Sequence, residues 1–284
     1  MDALGLSPSQ QRCLVETLRK EYAMREICEV LGFNKSTFYY QPKSDPSEDV
    51  LRAEILRLAA AYPTYGYRRI TKMLVAEGTP VGYKRVARLM KEMNLLVSVK
   101  RACRTTRSLQ GDKPWSNLLE PLEVSHRDQV WVGDITYVRL NSRFIYVAVL
   151  MDVFTRMIRG WNLGQHLSQT LTLKPLEQAL HDRVPEIHHS DQGVQYLSKA
   201  YLSLLKAHAI EISIARSGRP WENGYAERLI RTLKEEEVHL NDYQDITEAR
   251  QSIGHFLTQV YNHKRLHSAL GYLTPAEFQR QTFS

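Results

Sequence analysis

The chain has 284 residues, 43% of them hydrophobic and 24% charged, which allows two or three small domains with apolar cores. Its formal net charge of +7 and pI of about 9.2 favour a polyanionic partner, with nucleic acid ahead of a membrane. No apolar run is long enough to cross a membrane, and the first residues carry no signal-peptide pattern. Three scattered cysteines predict a reducing, cytoplasmic environment and show no metal-ligand spacing.

Residues 1–45 are predicted to form a helix-turn-helix-like unit. A Ser-Pro start at Ser7 opens the first helix, a second helix ends at Gly32, and a third begins near Lys35. An ordinary small helical bundle would give the same pattern, but the basic character of the chain favours DNA binding.

Residues 46–98 are predicted to form a second helical unit of the same kind. Apolar residues recur at helical spacing between Leu51 and Tyr62, and two further helices begin after Gly66 and Gly82. A solvated charged face is the plain alternative to DNA binding by their outer surfaces. The basic side chains expected to contact DNA phosphates there are Arg68, Arg69, Lys84, Arg85 and Arg88.

Residues 99–121 are predicted to be a basic and mostly extended linker, because cations sit among small and polar residues with few apolar ones. Such a linker can follow a nucleic-acid backbone, and a solvated tether is the alternative. The cations expected to contact DNA in this linker are Lys100, Arg101, Arg104 and Arg107.

Residues 122–284 have an α/β pattern, in which three strands form an antiparallel meander and two short strands then alternate with helices. The first strand is apolar on both faces, which predicts a central and covered strand. The predicted strands are Val130–Leu140, Phe144–Val153, Met157–Leu163, Glu186–Ser190 and Glu211–Ile214.

Three acidic residues in this region form the candidate site. Asp134 interrupts the apolar first strand, Asp191 ends a short strand, and Glu227 lies on the helix after a Gly/Pro loop. A buried carboxylate is costly unless it is paired or binds a cation, and hard cations relieve the repulsion within an acidic cluster. Mg²⁺ held by such carboxylates supports in-line attack at phosphorus. For Asp134, the plain alternative is a partner arginine or backbone donors.

One face of the helix that carries Glu227 also holds polar and basic residues, which suits a metal ligand beside phosphate contacts. An ion pair between Glu227 and Arg231 is the plain alternative. Adjacent His188 and His189 would point to opposite faces of a strand, which disfavours a shared zinc site. The residues of that helical face, at spacings of four, four and three, are Asn223, Glu227, Arg231 and Lys234.

Three boxes in this order resemble the catalytic core of insertion-sequence transposases of the IS-three type. They are residues 131–137 around Asp134, residues 189–196 around Asp191 and residues 223–228 around Glu227. As in that group, 35 residues separate Asp191 from Glu227, and Lys234 follows Glu227 by seven positions. Residues 261–275 and the helical unit around residues 65–70 are also similar to this family.

The resemblance implies an α/β RNase H-like core with a mixed sheet, similar to that of retroviral integrases, preceded by all-α helix-turn-helix-like domains. It implies that Asp134, Asp191 and Glu227 are the catalytic metal ligands for two Mg²⁺ ions, with Mn²⁺ as a substitute. The expected activity is DNA strand cleavage by water and then strand transfer by the freed 3′-hydroxyl, with no covalent protein–DNA intermediate. The residues it implies as DNA contacts are Asn223, Lys234 and Arg231.

The expected partners are double-stranded DNA, at the terminal inverted repeats and the target, and further copies of this chain in a homo-oligomer in a bacterial cytoplasm. The sequence has no sustained heptad repeat, so it resembles the downstream-frame product of such elements and predicts an upstream-frame partner. Two other functions are open: a DNA-binding accessory protein that is inactive without that partner, and a ribonuclease H-like hydrolase. The three acids argue against the first, and the basic helical units argue against the second.

Overall fold

The computed structural model describes residues 8–32, 34–39, 46–97, 115–140, 143–216 and 218–283. Two compact units are present, Met1–Glu54 and Ile55–Ser284. The predicted linker cations Lys100, Arg101, Arg104 and Arg107 lie outside the described residues. The helices that precede the sheet are α1 (Pro8–Leu18), α2 (Met24–Leu31), α3 (Lys35–Tyr39), α4 (Pro46–Ala61), α5 (Tyr67–Ala76) and α6 (Tyr83–Glu92).

The predicted helices of the first unit are confirmed. Gly32 ends α2 in the left-handed conformation at φ 59°, and its N–H donates to the carbonyl of Cys28, a backbone position that glycine adopts without strain. A small apolar core forms from Val15, Ile27 and Leu31.

Helices α5 and α6 pack against each other. Each begins after a glycine, Gly66 or Gly82, as the sequence predicted. Their buried faces carry Ile70 and Leu74 of α5 and Val86, Leu89 and Met90 of α6. The apolar spacing of the sequence therefore identified the inward faces of this helical pair.

The predicted strands and the mixed sheet are confirmed. The sheet has the order β3-β2-β1-β4-β5, in which β1, β2 and β3 form an antiparallel meander and β4 and β5 run parallel to β1. This is the RNase H-like arrangement that the sequence predicted. The strands are β1 (Val130–Leu140), β2 (Arg143–Asp152), β3 (Ile158–Gly164), β4 (Ile187–Ser190) and β5 (Glu211–Ile214).

The prediction that β1 is a central strand is confirmed, but its cover is incomplete in its second half. Trp131 and Val132 pair with both β2 and β4, but the described register beyond Val132 is with β2 alone. Tyr137 is 58% exposed and Arg139 is also exposed. The strand outruns its parallel neighbour, because β4 ends at Ser190.

Apolar clusters lie on both faces of the sheet. On one face, Val130 and Val132 pack with Leu229, Leu233 and Ile253. On the other face, the cluster contains Trp131, Leu150, Leu176 and Tyr201. The helices of this region are α7 (Gln169–Asp182), α8 (Lys199–Ala207), α9 (Gly224–Glu236), α10 (Ile246–His255) and α11 (Pro275–Phe283).

Two local features of this region shape the packing. The sequence predicted one helix over residues 247–262, but α10 ends at His255 and continues as a wider π-helical turn, Phe256–Tyr261. At Gly160 of β3, an added Cβ would lie 2.3 Å from the carbonyl oxygen of Pro175 in α7. In the described part of the chain, no helix is both long and apolar enough to span a membrane.

Candidate active site

The parallel pairing of β1 and β4 brings Asp134 and Asp191 to the same level of the sheet. Val132 of β1 lies opposite His189 of β4. Asp134 follows Val132 by two residues, and Asp191 follows His189 by two residues. Because side chains alternate along a strand, both aspartates belong to the face of Val132. Adjacent strands lie about 4.8 Å apart, so the two carboxylates are neighbours at the end of β4.

Helix α9 places Glu227 beside the same face. The helix contacts β1, and its buried residues Ala226, Leu229 and Leu233 share an apolar cluster with Val132. Glu227 directly follows Ala226 and is exposed, so it lies at the rim of the contact between α9 and β1. Three acids that are distant in the sequence therefore come from the middle of β1, the end of β4 and the first turn of α9.

The charges of the three acids act on one another. Burial, together with the charges of Asp191 and Glu227, raises the pKa of Asp134 to about 7, against the opposing effects of a hydrogen bond from the Ile135 N–H and the charge of Lys234. Burial also raises the pKa of Asp191, against a hydrogen bond of 2.9 Å from the Gly193 N–H. An acidic cluster with this repulsion favours a bound cation.

Burial likewise raises the pKa of Glu227, and the charge of Arg231 works against the rise. Within the described residues, no ion pair joins Glu227 to Arg231 and no salt bridge reaches Asp134. Lys234 instead lies with Nζ 4.3 Å from the ring centre of Tyr137. The ion-pair alternatives for the two acids therefore find no support among the described residues, whereas a backbone donor, the Ile135 N–H, does serve Asp134.

The donor chemistry of the site suits a hard divalent cation. Among the described residues, no three His, Cys, Asp or Glu side chains are placed to hold one ion together. The three acids nevertheless supply the carboxylate oxygens that Mg²⁺ prefers. Asn223 adds a buried amide oxygen that has no hydrogen-bond partner among the described residues. Carboxylates that repel one another, with an orphaned amide oxygen on the turn before α9, fit a metal and phosphate site.

His188 and His189 are buried and bond to different elements. The Nε2 of His188 lies 2.9 Å from the hydroxyl of Tyr201 in α8, and the Nδ1 of His189 lies 2.8 Å from Oγ of Ser213 in β5. The two imidazoles therefore lie on opposite faces of β4, as the sequence predicted. Their separate partners disfavour a shared zinc ion.

Acidification is expected to destabilise the fold through His188. Burial, helped by neighbouring His189, lowers the pKa of His188 to about 3. Below pH 6.5 the unfolded chain binds a proton that the folded chain excludes, so stability is lost as the pH falls towards 3. The His188→Gln variant should therefore lose about 2 kcal/mol less than the wild type between pH 8 and pH 5. Urea denaturation at both pH values measures this difference, and equal losses in the two proteins would contradict the prediction.

Tyr196 is a site residue to which the sequence assigned no role. A Cβ added to Gly133 would lie 3.1 Å from the Tyr196 ring, and a Cβ added to Gly193 would lie 3.4 Å from the same ring. Each glycine is close to one of the aspartates in the sequence, so the ring packs against both aspartate-bearing segments. The sequence signal that could have indicated this close packing is a glycine within two residues of each aspartate, Gly133 and Gly193.

The predicted DNA contacts differ in their surroundings. Arg68, Lys84, Arg85 and Arg88 are exposed on α5 and α6, and Arg88 also pairs with Glu92 at 2.8 Å. Arg69 is half-buried instead, and its guanidinium reaches Glu236 of α9 at 3.4 Å. The structure therefore engages Arg69 inside the protein, where the sequence had expected a phosphate contact.

Comparisons with known proteins agree with this architecture. A family model described as integrase core domain matches residues 124–220, a second model of that description matches residues 208–275, and an HTH-like domain model matches residues 46–102. The catalytic core domain of HTLV-2 integrase, solved in complex with magnesium, is 17% identical, with a TM-score of 0.43 over 53% of this chain and 95% of that chain.

Two curated relatives are similar along nearly their whole length. The transposase for insertion sequence element IS629 of Shigella sonnei is 32% identical over 287 residues, covering 95% of this chain and 96% of the relative. The transposase InsF for IS3A of Escherichia coli K12 is 28% identical over 286 residues, covering 95% and 98%. With its integrase core domain and HTH-like domain, the chain belongs to the insertion-sequence transposases of the IS-three type.

Proposed function

We propose that this protein cuts phosphodiester bonds at the ends of an insertion sequence and joins the freed 3′-hydroxyl to a second DNA. The observation that supports the proposal is that Asp191 and Glu227 lie near enough to Asp134 for their charges to raise its pKa. These three residues are the proposed catalytic acids. The nucleophile is a water or DNA hydroxyl, so no covalent bond forms between protein and DNA.

The three acids would hold Mg²⁺, or Mn²⁺ in its place, and two ions are expected. Bound there, the ions would activate the attacking hydroxyl and stabilise the leaving oxygen. Lys234 lies near enough to Asp134 for its charge to lower the pKa of that carboxyl. Its ammonium group is suited to bind a phosphate oxygen. Asn223 offers a buried amide beside Glu227, and exposed Arg231 lies one turn further along α9. These three residues are the proposed DNA contacts of the core.

Helices α5 and α6 are proposed to hold the double-stranded ends of the element. Their exposed cations support this role, since a basic surface gains affinity for DNA by releasing counterions. The linker cations Lys100, Arg101, Arg104 and Arg107 belong to the same proposal on the basis of the sequence. The proposal also includes a homo-oligomer of this chain on DNA and a partner protein from the upstream frame.

The affinity for DNA is expected to fall steeply with salt. If six to ten phosphates are contacted, the affinity should drop by about 10³-fold or more between 50 and 200 mM salt. Replacing exposed Lys84 by methionine should weaken binding to all sequences alike and should reduce the slope of log K against log salt by about 1. Fluorescence anisotropy across a salt series measures both quantities. A flat profile would mean that the basic helices do not touch phosphates.

The proposed activity is tested with the wild-type chain, Mg²⁺ or Mn²⁺, and labelled DNA that carries a terminal inverted repeat. The expected result is a strand cut at the repeat, followed by a joined product. Binding without cleavage under every metal condition would favour the accessory protein instead. Degradation of an RNA–DNA hybrid with no cutting of the repeat would favour a ribonuclease.

A further inference from the structure

A buried ion-pair network joins α5 to the helix that carries Glu227. The guanidinium of Arg265 donates to both carboxylate oxygens of Glu236, from Nε at 2.8 Å and from Nη2 at 2.7 Å. Arg69 of α5 donates to the same carboxylate from Nη1 at 3.4 Å. Arg69, Glu236 and Arg265 are called the Glu236 clamp below. In this clamp, one carboxylate at the end of α9 binds two arginines from distant parts of the chain.

Aromatic contacts reinforce the attachment of α5. The guanidinium of Arg69 lies 4.8 Å from the ring centre of Tyr65, which is buried and hydrogen-bonds to the backbone of Leu266. Lys72 of α5 lies over the ring of Tyr272 at 5.6 Å. The helix is therefore held by the segment 261–275, which the sequence matched to the transposase family without giving it a role.

That segment is itself anchored to the sheet. The amide of Asn262 accepts from the N–H of Ile158 at 3.0 Å and donates to the carbonyl of the same residue at 3.5 Å. The π-helical turn that precedes it packs Phe256 and Tyr261 into the core beneath the sheet. The segment thus connects β3, the end of α9 and the start of α5.

A buried charge network is poor at adding stability and good at fixing geometry. Two arginines and one glutamate lose hydration on burial, and their attraction repays that cost only in an accurate arrangement. The network has one more positive charge than negative. Burial and then the charge of Arg265 lower the pKa of His267 to about 2, which keeps that imidazole neutral. A costly arrangement that joins two functional elements suggests a requirement for their relative position.

Glu236 follows Glu227 by nine residues on α9, a distance of about 13 Å along the helix axis. The clamp therefore fixes α5, and with it α6, at a set position relative to the acids. We infer that the Glu236 clamp sets the distance from the DNA held on α5 and α6 to the catalytic acids, and so selects which phosphodiester is cut. This inference rests on the proposed function and makes Arg69 a positioning residue rather than a DNA contact.

Arg69→Met is the test variant, and Arg68→Met is its matched control. The two arginines are neighbours on α5, but Arg68 is exposed and Arg69 is turned towards Glu236. Removing Arg69 leaves both bonds between Arg265 and Glu236, so the carboxylate keeps a partner. Each variant is compared with the full-length wild type for DNA affinity over a salt series, thermal melting, and cut position mapped to single nucleotides.

Arg69→Met is expected to keep the wild-type slope of log K against log salt. Its cuts should spread over neighbouring phosphodiesters, with a loss of about 10-fold or more at the wild-type position, because small misplacements of a reacting group are expensive. Arg68→Met should show the opposite result, with a slope reduced by about 1 and an unchanged cut position.

A salt slope reduced in Arg69→Met as in Arg68→Met would show a phosphate contact and overturn the inference. A single cut at the wild-type position with full yield would overturn it too. If Arg69→Met does not fold, Arg69→Lys keeps the charge with a single donor group in place of the fork, and the same spread of cuts is expected. If the wild type itself cuts nothing, the proposed function has failed, which is a separate outcome.

Discussion

Replacing Asp191 by asparagine is expected to reduce strand cleavage and strand transfer by about 10²–10³-fold, the loss typical of removing one preorganised electrostatic group from an active site. The neutral amide leaves Asp134 and Glu227 without the charge that completes a divalent-ion site. An asparagine oxygen can still accept from the Gly193 N–H, so the local fold should persist. Single-turnover cleavage of labelled terminal-repeat DNA measures the loss.

The same variant has a second signature that does not depend on activity. In the presence of a chelator, Asp191→Asn should melt no lower than the wild type, because the charge of Asp191 disfavours ionised Asp134. Mg²⁺ should raise the melting temperature of the wild type more than that of the variant. Asp182→Asn, which changes an exposed acid at the end of α7, is the control and should alter neither measurement. Full cleavage by Asp191→Asn would remove the basis of the proposed function.

Replacing Gly160 by alanine is expected to destabilise the fold by about 3 kcal/mol or more, at the upper end of the cost of overpacking a core. The added methyl group would lie 2.3 Å from the carbonyl oxygen of Pro175 and 2.9 Å from its carbonyl carbon. These are backbone atoms of α7, so β3 and α7 must move apart to accept the methyl group. Urea denaturation at neutral pH measures the change.

Gly224→Ala is the matched control for the change at Gly160. Gly224 is the first residue of α9, its φ of −58° is helical, and nothing lies within 4 Å of an added Cβ. Alanine there should stabilise the protein by about 0.5–1 kcal/mol, because glycine loses more backbone freedom on folding. A Gly160→Ala variant as stable as the wild type would show that α7 and β3 are not packed as closely as described.

The sequence was informative where local patterns decide the structure. Alternating and continuous apolar runs located the strands from Val130 onwards, and apolar spacing located the inward faces of α5 and α6. The expectation that the first strand and the short strand before Asp191 could be neighbours in a mixed sheet is confirmed by their parallel pairing. Once those strands pair in that register, Asp134 and Asp191 must come together.

The sequence did not predict features that depend on contacts between residues far apart in the chain. Helical periodicity can show that Arg69 is not in the apolar core, but it cannot show that Glu236, 167 positions later, binds it. Alternation along β1 cannot reveal that β4 ends early and leaves Tyr137 exposed. Similarly, the ring of Tyr196 meets Gly133 only because two strands and a loop are folded together.

The wide turn Phe256–Tyr261 makes the C-terminal part of the chain sensitive to the number of residues in the turn. Each residue of a helix advances the chain by about 100° around the axis. Deleting one residue and restoring a regular helix would turn Asn262 away from Ile158 and would carry Arg265 away from Glu236. Related chains that keep these contacts are therefore expected to preserve the number of residues along this turn, with apolar or aromatic residues at the buried positions of Phe256 and Tyr261.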